Sequence, residues 1–421
     1  MATVTPPATE RLGESYFQDP QGLFERLRAE APVTPVIMPE GGRAWLITRY
    51  ADARAALADP RLAKNWMKHM VPDDWTPDPV QSYLNRHMLN MDPPDHTRLR
   101  RLVVKAFTAR RVASLRPRIE EITASLLDAM AESAGAGSGP GAGSGDGVVD
   151  LLAAFAFPLP VTVISELLGI PAKDQNAFRE WSGTILSSTA QPEEFRAAGL
   201  AMHAYFSALA AAKRRAPGDD LVSALIEAQD ADDALDESEL LAMMFLLLVA
   251  GHETTVNLIA SGTLALLQAP AQLARLRSDP ALLPSAVEEL LRYANPLNHS
   301  TERFTLEPVT IGGVTIPDHE WVLCVTSSAN HDSSRFPSAS ALDVERDATG
   351  HLAFGHGIHY CLGAPLARLE GEIAFGSLLA RFPDISLAVP PSSLRWRPSS
   401  LIHGLESLPV RLARRAAGRD A

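Results

Sequence analysis

The longest amphipathic pattern in the chain, Glu237–Gln268, constrains the fold more than any other segment. Asp236 precedes it and Glu239 follows three residues later, a capping-box arrangement that predicts a helix start. A polar patch, 252–255, interrupts the apolar residues, but the apolar pattern resumes at Val256. The patch could be a charged helix end. Because the pattern resumes, we expect one continuous helix, and buried Glu and Thr side chains inside it must be hydrogen-bonded.

Helical periodicity also dominates the rest of the chain, and strand-like runs are few. The other expected helices are Pro20–Ala31, Tyr50–Ala58, Thr97–Phe107, Val112–Ala131, Val161–Leu168, Pro192–Arg215, Pro270–Ser278 and Pro284–Tyr293. The expected strands are Val33–Met38, Ala44–Thr48, Val309–Ile316 and Glu320–Ser327. We therefore expect a mainly α fold, a helical body with a small β region.

Length, charge and cysteine content limit the classes of protein to which this chain can belong. The 421 residues allow one large domain or two ordinary ones. The formal charge of −12 argues against a nucleic-acid partner, which would require clustered positive charge. The longest apolar stretch, 240–251, is shorter than the roughly 20 residues of a membrane span, and no signal-peptide pattern begins the sequence, so we expect no membrane association. Two cysteines do not make a disulfide framework, which fits a reduced, cytoplasmic setting.

One of the two cysteines, Cys361, lies in a glycine-rich bend directly before another amphipathic pattern, Leu366–Phe382. A thiol at a helix N-terminus lies near unpaired backbone N–H groups and the positive end of the helix dipole, which lowers its pKa and favours the thiolate. Gly357 and Gly363 leave no side chain where a flat cofactor could approach, and Phe354 adds an aromatic edge. The alternative is a buried structural thiol, because free cysteine often behaves as a small hydrophobic residue.

These residues form the pattern Phe-x-x-Gly-x-x-x-Cys-x-Gly, which closely resembles the haem-binding loop of the cytochrome P-450 monooxygenases. The resemblance implies the cytochrome P-450 fold, heme b (iron protoporphyrin IX) as cofactor, and Cys361 as the proximal ligand of the iron. Phe354, Gly357 and Gly363 would belong to the cofactor-binding loop. Motifs of the family occur in the expected order between about Asp92 and Glu370.

The polar patch of the long helix lies in Ala250-Gly-His-Glu-Thr-Thr255, which resembles the distal-helix motif of the same family. By this resemblance, Thr254 would hydrogen-bond iron-bound dioxygen and Glu253 would help to relay protons to it. Gly251 would make room for the oxygen. Glu253 and Thr254 are therefore the expected catalytic residues, whereas His252 matches no motif and is expected to be a packing or surface residue.

Basic residues are candidates for binding the two haem propionates. His96 and Arg100 lie four residues apart and share one face of an expected helix, whereas Arg98 and Arg101 point elsewhere and are expected to face solvent. Arginine suits this role because its planar fork matches a carboxylate. The resemblance to the family assigns the propionates to His96, Arg100, Arg303 and His359.

Glu289 and Arg292 lie three residues apart on an expected helix and resemble the structural Glu-x-x-Arg pair of the family. The family usually adds a third, basic member, but Ala341 stands at the corresponding position. Either Arg335 or Arg346 could replace it.

A Gly/Ala/Ser-rich segment at about 133–147 has the composition of a flexible linker. It could separate two domains. Because the haem-related motifs lie on both sides of this segment and would have to meet in one site, we expect a single domain, 1–421, with a flexible surface loop there.

The resemblance implies a monooxygenase that inserts one oxygen atom from O2 into a C–H bond, by hydroxylation or epoxidation, of a sizeable hydrophobic natural product. Taken as a whole, the sequence most resembles actinomycete enzymes that tailor macrolides and polyketides in antibiotic biosynthesis. Because no Gly-x-Gly-x-x-Gly motif follows a strand, electrons would come from a ferredoxin and its ferredoxin reductase. Lys105, Arg110 and Arg111 could form part of the docking patch, or an ordinary solvated face.

Substrate selection is expected in Leu62–Asn90, 182–194, 297–300 and 401–402. In the first of these segments, large side chains would form an apolar lid, and acidic ones could meet a cationic amino sugar. The lid residues are Trp66, Met67, Met70, Trp75 and Tyr83, and the acidic ones are Asp73, Asp74 and Asp78. Two other functions remain open: a haem-thiolate enzyme for oxidative coupling or peroxide-driven oxygenation, and a non-catalytic haem-binding sensor.

Overall fold

The computed structural model describes residues 8–71, 78–135, 147–229 and 235–412. Most of the expected Gly/Ala/Ser-rich loop lies outside these ranges, as do Asp73, Asp74 and Trp75 of the expected lid. The described parts of that loop are 133–135, which is helical, and Gly147.

Helices form most of the described chain, as expected of a mainly α fold. They are α1 Ser15–Gln18, α2 Pro20–Glu30, α3 Tyr50–Ala58, α4 Trp66–His69, α5 Pro79–Asn85, α6 Asp95–Ala106, α7 Ala109–Ser114, α8 Arg116–Gly135, α9 Pro158–Leu168, α10 Gln175–Ile185, α11 Pro192–Arg215, α12 Leu221–Gln229, α13 Glu237–Gln268, α14 Pro270–Ser278, α15 Leu283–Tyr293, α16 Thr326–Asn330 and α17 Ala364–Arg381. Single turns of 3₁₀-helix are Met88–Asn90, Ala172–Asp174, Pro280–Leu282, Gly357–His359 and Pro391–Ser393, and Leu152–Ala156 is a short π-helix.

The strands are short and lie at the edge of the helical body. They are β1 Glu10–Arg11, β2 Val33–Ile37, β3 Arg43–Ile47, β4 Leu62–Ala63, β5 Val148–Asp150, β6 Arg303–Thr305, β7 Val309–Ile311, β8 Val314–Ile316, β9 Trp321–Cys324, β10 Ser386–Leu387 and β11 Pro409–Arg411. The largest sheet has the order β1-β2-β3-β9-β6-β4, with β3 and β9 parallel and Trp45 opposite Val322. The expected strand residue Cys324 is buried in β9, where it packs in the sheet core.

The long helix α13 is continuous through the polar patch, as expected. Its start is a capping box: Asp236 accepts a hydrogen bond from the Glu239 backbone N–H at 2.8 Å, and Glu239 accepts from the Asp236 N–H at 3.0 Å. By length and composition α13 could cross a membrane, but 78% of its most apolar window is buried inside the protein. Gly262 allows this packing, since a Cβ there would lie 2.6 Å from the ring of Phe375 on α17.

Several expected elements have different limits in the structure. The expected strand Val309–Ile316 is a hairpin of two strands, β7 and β8. The expected helix Val112–Ala131 is divided into α7 and α8, because Pro117 occupies the first turn of a new helix, where its missing N–H costs nothing. The expected strand Glu320–Ser327 ends at Cys324 and is followed by α16. Ser327 in that helix donates a hydrogen bond to the Asn298 carbonyl at 2.8 Å, which holds the turn against a neighbouring loop.

The structural ion pair on α15 acquires its third member from Arg346, not Arg335. Glu289 and Arg292 are fully buried and form two hydrogen bonds of 2.7 and 2.8 Å. Arg346 donates to the same Glu289 carboxylate at 3.2 Å. Arg335 instead bonds the Thr349 carbonyl.

Candidate functional site

A large apolar cavity lies between α13 and the loop that contains Cys361. Its volume is about 1560 Å³ including the space at its mouth. The apolar walls above the loop come from Met88, Leu89, Leu246, Leu247 and Leu297.

Cys361 lies at one side of this cavity, directly before α17. Its backbone N–H donates to the Phe354 carbonyl at 2.9 Å, which closes the glycine-rich loop. The thiol is accessible from the cavity, but it lies deep in the protein. Burial raises the pKa of Cys361 above its ordinary value, although the backbone N–H groups of Gly363 and Ala364 act to lower it. The expected lowering of the thiol pKa is therefore wrong for the protein by itself, because desolvation outweighs the helix N-terminus.

The other residues of the loop have distinct roles. Gly357 has φ = +77°, and a Cβ there would lie 3.1 Å from the Leu57 carbonyl, so this glycine is required by the turn and by packing on α3. A Cβ at Gly363 would lie 3.8 Å from the Cys361 sulfur, an ordinary contact, so this glycine leaves the sulfur uncovered. Phe354 lines the cavity, and the Arg368 guanidinium lies 4.6 Å from its ring centre.

Basic side chains from three separate segments meet in the same cavity. The His96 and His359 rings lie with their centres 4.4 Å apart. Burial lowers the pKa of His96, and the neighbouring Arg100 lowers it further. Burial also lowers the pKa of His359 to about 2, helped by the positive charges of Lys64 and Arg303. The structure therefore brings together all four residues expected at the propionates.

These groups fit an anionic ligand. Both ring nitrogens of His96 and the Nε of Arg303 are buried without a hydrogen-bond partner in the described part of the chain. Arg100 donates to the Tyr360 carbonyl at 2.7 Å and Arg303 to the Leu62 carbonyl at 3.1 Å, so neither guanidinium is neutralised by these bonds. Unpaired buried donors are costly, and two carboxylates of a bound cofactor would satisfy them.

The expectation that Arg98 faces solvent is wrong. Arg98 forms an ion pair with Glu239 on α13, and only 27% of its side chain is exposed. The sequence could not show this pair, because α6 and α13 are far apart along the chain. Arg101 is exposed, as expected.

Glu253 lies on α13 beside the cavity but does not line it. One carboxylate oxygen accepts a hydrogen bond from Ser182 at 2.8 Å and the other accepts from Arg397 at 2.8 Å. His252, also buried, lies 3.5 Å from the carboxylate and 3.2 Å from the Ser182 hydroxyl. Burial would raise the pKa of Glu253, but His252 and Arg397 together hold it below its ordinary value. The carboxylate is therefore ionised and anchored at both oxygens.

Thr254 lines the cavity, and its hydroxyl donates to the Ala250 carbonyl one turn earlier at 2.9 Å. Thr255 also borders the cavity, but it is buried and lies near the carboxyl group of Glu370 on α17. Burial raises the pKa of Glu370 well above its ordinary value. At Gly251 a Cβ would lie 2.8 Å from Ile164, so this glycine admits the Ile164 side chain and lets α9 approach α13.

The sequence profile described as Cytochrome P-450 matches residues 39–191 and 154–394 of this chain, which together span more than half of it. The chain belongs to the cytochrome P-450 family. Members of this family bind haem iron, and the cavity beside Cys361 fits that cofactor. The mainly α fold is accordingly the cytochrome P-450 fold.

Similar proteins extend over nearly the whole of this cytochrome P-450. Cytochrome P-450 107B1 of Saccharopolyspora erythraea is 50% identical over 98% of this chain and 99% of its own. The monooxygenase PikC of Streptomyces venezuelae is 48% identical over 99% of this chain and 97% of its own. The tirandamycin C-bound monooxygenase TamI has a TM-score of 0.87 at 47% identity, covering 96% of this chain and all of its own.

Sequence reasoning missed several residues of this P-450 site. Lys64 lines the cavity beside the expected propionate ligands, and Ser182 and Arg397 hold Glu253. Arg397 lies more than a hundred residues beyond Glu253, in a segment without regular periodicity, so no local pattern indicated it. For Lys64, the available signal was a lone basic residue directly after the short apolar pair that became β4.

The expected lid is wrong for the residues that the structure describes, because none of Trp66, Met67, Met70 and Tyr83 lines the cavity. Tyr83 does not reach the cavity, because its ring packs against His203 at 4.9 Å and Phe245 at 5.9 Å. Trp66 lies outside the cavity as well and packs near Trp321. From the other expected segments, Leu297 and Ser300 do line the cavity.

Proposed function

We propose that this cytochrome P-450 uses O2 to hydroxylate or epoxidise a sizeable hydrophobic natural product of the macrolide or polyketide type. The observation that carries the proposal is the cavity with apolar walls that both Thr254 and Cys361 line. Relatives support the substrate class: they include 6-deoxyerythronolide B hydroxylase, 45% identical, and mycinamicin IV hydroxylase/epoxidase, 45% identical. A cytoplasmic location and a single domain over the whole chain accompany this proposal.

Heme b would be held by Cys361 at the iron and by His96, Arg100, Arg303 and His359 at its two carboxylates. A thiolate-ligated haem activates O2 by donating electron density that favours O–O cleavage. Iron binding would also stabilise the Cys361 thiolate, which burial alone disfavours. Phe354, Gly357 and Gly363 would keep the loop closed around the sulfur.

Thr254 and Glu253 would deliver protons to the reacting oxygen. Thr254 offers a hydroxyl whose own proton is held by the Ala250 carbonyl, so its oxygen can accept a hydrogen bond from the cavity. Because Glu253 does not line the cavity, its side chain would have to turn away from Ser182 and Arg397 to pass a proton towards Thr254. Arg397 and Ser182 would therefore determine how readily Glu253 takes part.

Electrons would come from a ferredoxin served by a ferredoxin reductase. Lys105, in the last turn of α6, and Arg110, on α7, are exposed and would contribute to the docking surface. Arg111 is less suited to this role, because it bonds Asp219 on a neighbouring segment.

A substrate screen followed by product analysis tests the proposal. Candidate macrolides, polyketides and, as a control, small polar compounds would be titrated against the ferric protein. We expect a spectral shift from the displacement of iron-bound water only with large hydrophobic compounds. Mass spectrometry with ferredoxin, reductase, NADPH and ¹⁸O₂ should then show one labelled oxygen in the product. Product formed only with peroxide, or a coupled dimer without added oxygen, would contradict the proposal.

A further inference from the structure

Lys64 is a buried lysine whose backbone is fixed at the cavity. Lys64 directly follows β4. Its backbone N–H donates to the Asp92 carboxylate, whose two oxygens lie 3.0 and 3.1 Å from the nitrogen. Only 3% of the residue is exposed. The ammonium group donates to the hydroxyl of Thr301, and both residues line the cavity together with Arg303 and His359.

The described part of the chain places no close counter-ion beside this ammonium group. Among the residues that the structure describes, no carboxylate forms a salt bridge with Lys64, and the Asp92 carboxylate is occupied by the backbone N–H groups of Lys64 and Asn65. The nearby Arg303 repels it. Burying an ammonium without a counter-ion is costly, and burial followed by the Arg303 charge lowers the pKa of Lys64 to about 7.

We propose that Lys64 is a fifth cationic group for the haem carboxylates, and that it takes up a proton when the haem binds. The inference rests on the proposed haem site and deepens it. The ammonium group faces the cavity that holds His96, Arg100, Arg303 and His359, so an anion bound by these residues also neutralises Lys64. A hydrogen bond to a charged carboxylate replaces the hydrogen bond to the uncharged Thr301 hydroxyl.

The proton uptake follows from the charges around Lys64. Burial and the Arg303 charge lower the pKa of Lys64 in the free protein, whereas the Glu302 and Asp92 carboxylates raise it, so a bound dianion shifts the balance to the protonated form. Well below pH 7 Lys64 is charged both with and without haem, so its titration does not change the haem affinity there. Above pH 7 haem binding must also bind a proton, so affinity falls by up to tenfold per pH unit. The groups that face Lys64 are Arg303, Glu302, Asp92, Cys324, His87 and His359.

The first test measures haem loss from the holoenzyme to an excess of an apoprotein acceptor. Lys64→Met should lose haem about tenfold faster or more at pH 7, because a charge-assisted hydrogen bond to a carboxylate is removed. Lys64→Arg keeps the charge and should remain within about threefold of the wild type. Lys68→Met is the matched control, since Lys68 is an exposed lysine four residues later, and it should behave as the wild type.

The second test lets haem exchange with the acceptor reach equilibrium at each pH between 7 and 9, and expresses the haem affinity of each variant as a ratio to that of the wild type. The ratio cancels titration of Cys361 and of the histidines, which all variants share. Lys64→Met should approach the wild type as pH rises, whereas Lys64→Arg should become the tighter binder. Parallel pH profiles for all variants would overturn the proton uptake, and equal haem loss for Lys64→Met and Lys68→Met at pH 7 would overturn the contact.

Failure of the haem site itself has a different signature. If the wild type gives no thiolate-type absorption of its reduced carbon monoxide complex, the proposed function fails. If the wild type and Lys64→Met both give that band and retain haem equally, only the role of Lys64 fails.

Discussion

Replacing Arg397 with methionine tests how the structure holds Glu253. The substitution removes the guanidinium that donates to the buried carboxylate at 2.8 Å and leaves the Ser182 hydrogen bond in place. Loss of one charge-assisted hydrogen bond costs about 1.5–3 kcal/mol. Breaking a fully buried ion pair costs about 3–5 kcal/mol, but 24% of the Arg397 side chain is exposed, so water replaces part of the interaction. We therefore expect the free energy of unfolding to fall by about 2 kcal/mol at pH 7.

The pH dependence of this loss follows from the depressed pKa of Glu253. The pKa of Glu253 in the folded protein is below its ordinary value of 4.5. Its carboxylate therefore stabilises the fold fully at a pH above 4.5. This contribution is lost as the pH falls through the folded-state pKa. The difference between Arg397→Met and the wild type should therefore be largest above pH 5 and shrink as the pH falls below 4.5.

A double-mutant cycle isolates the pair. Urea unfolding of the haem-saturated protein would be measured for the wild type, Arg397→Met, Glu253→Gln and the double variant. Arg395→Met is the matched control, because Arg395 is an exposed arginine on the same segment, and we expect a change within about 0.5 kcal/mol. A coupling energy below about 0.5 kcal/mol between Arg397 and Glu253 would refute the reasoning. It would mean that Ser182 and His252 hold the carboxylate alone.

Three further outcomes follow from the site and the core. Cys361→His should bind haem without the absorption near 450 nm of the reduced carbon monoxide complex, and a retained thiolate band would show that another residue holds the iron. Thr254→Ala should still oxidise NADPH but release much of the reducing power as hydrogen peroxide. Thr255 lies near Glu370, so Thr255→Ala should form more product per NADPH oxidised. The reverse order would mean that the wrong face of α13 was assigned. Arg346→Ala should lower the unfolding free energy by about 1.5–3 kcal/mol. Arg335 is exposed, so Arg335→Ala should lower it by less than about 1 kcal/mol. Equal losses would exclude Arg346 as the third member of the Glu289 cluster.

The local sequence determined the helices and the cofactor loop of this protein. The capping box at Asp236 and the apolar residues on both sides of the polar patch were enough to predict α13, because a helix is set by contacts three or four residues apart. The glycine-framed Cys361 and its resemblance to the family identified the haem loop for the same reason, since all the informative residues lie within one short segment. The sequence also indicated His96, Arg100, Arg303 and His359, which the structure brings to one cavity.

Tertiary structure decided which partners the charged residues have. Arg98 pairs with Glu239, Arg346 joins Glu289, and Arg397 anchors Glu253, although each partner is distant in the chain or on another element. The same holds for the thiol of Cys361, because the enclosing protein removes water from it and so raises a pKa that the helix N-terminus alone would lower. Desolvation and long-range pairing depend on the whole packed fold, and the order of residues along one helix does not contain them.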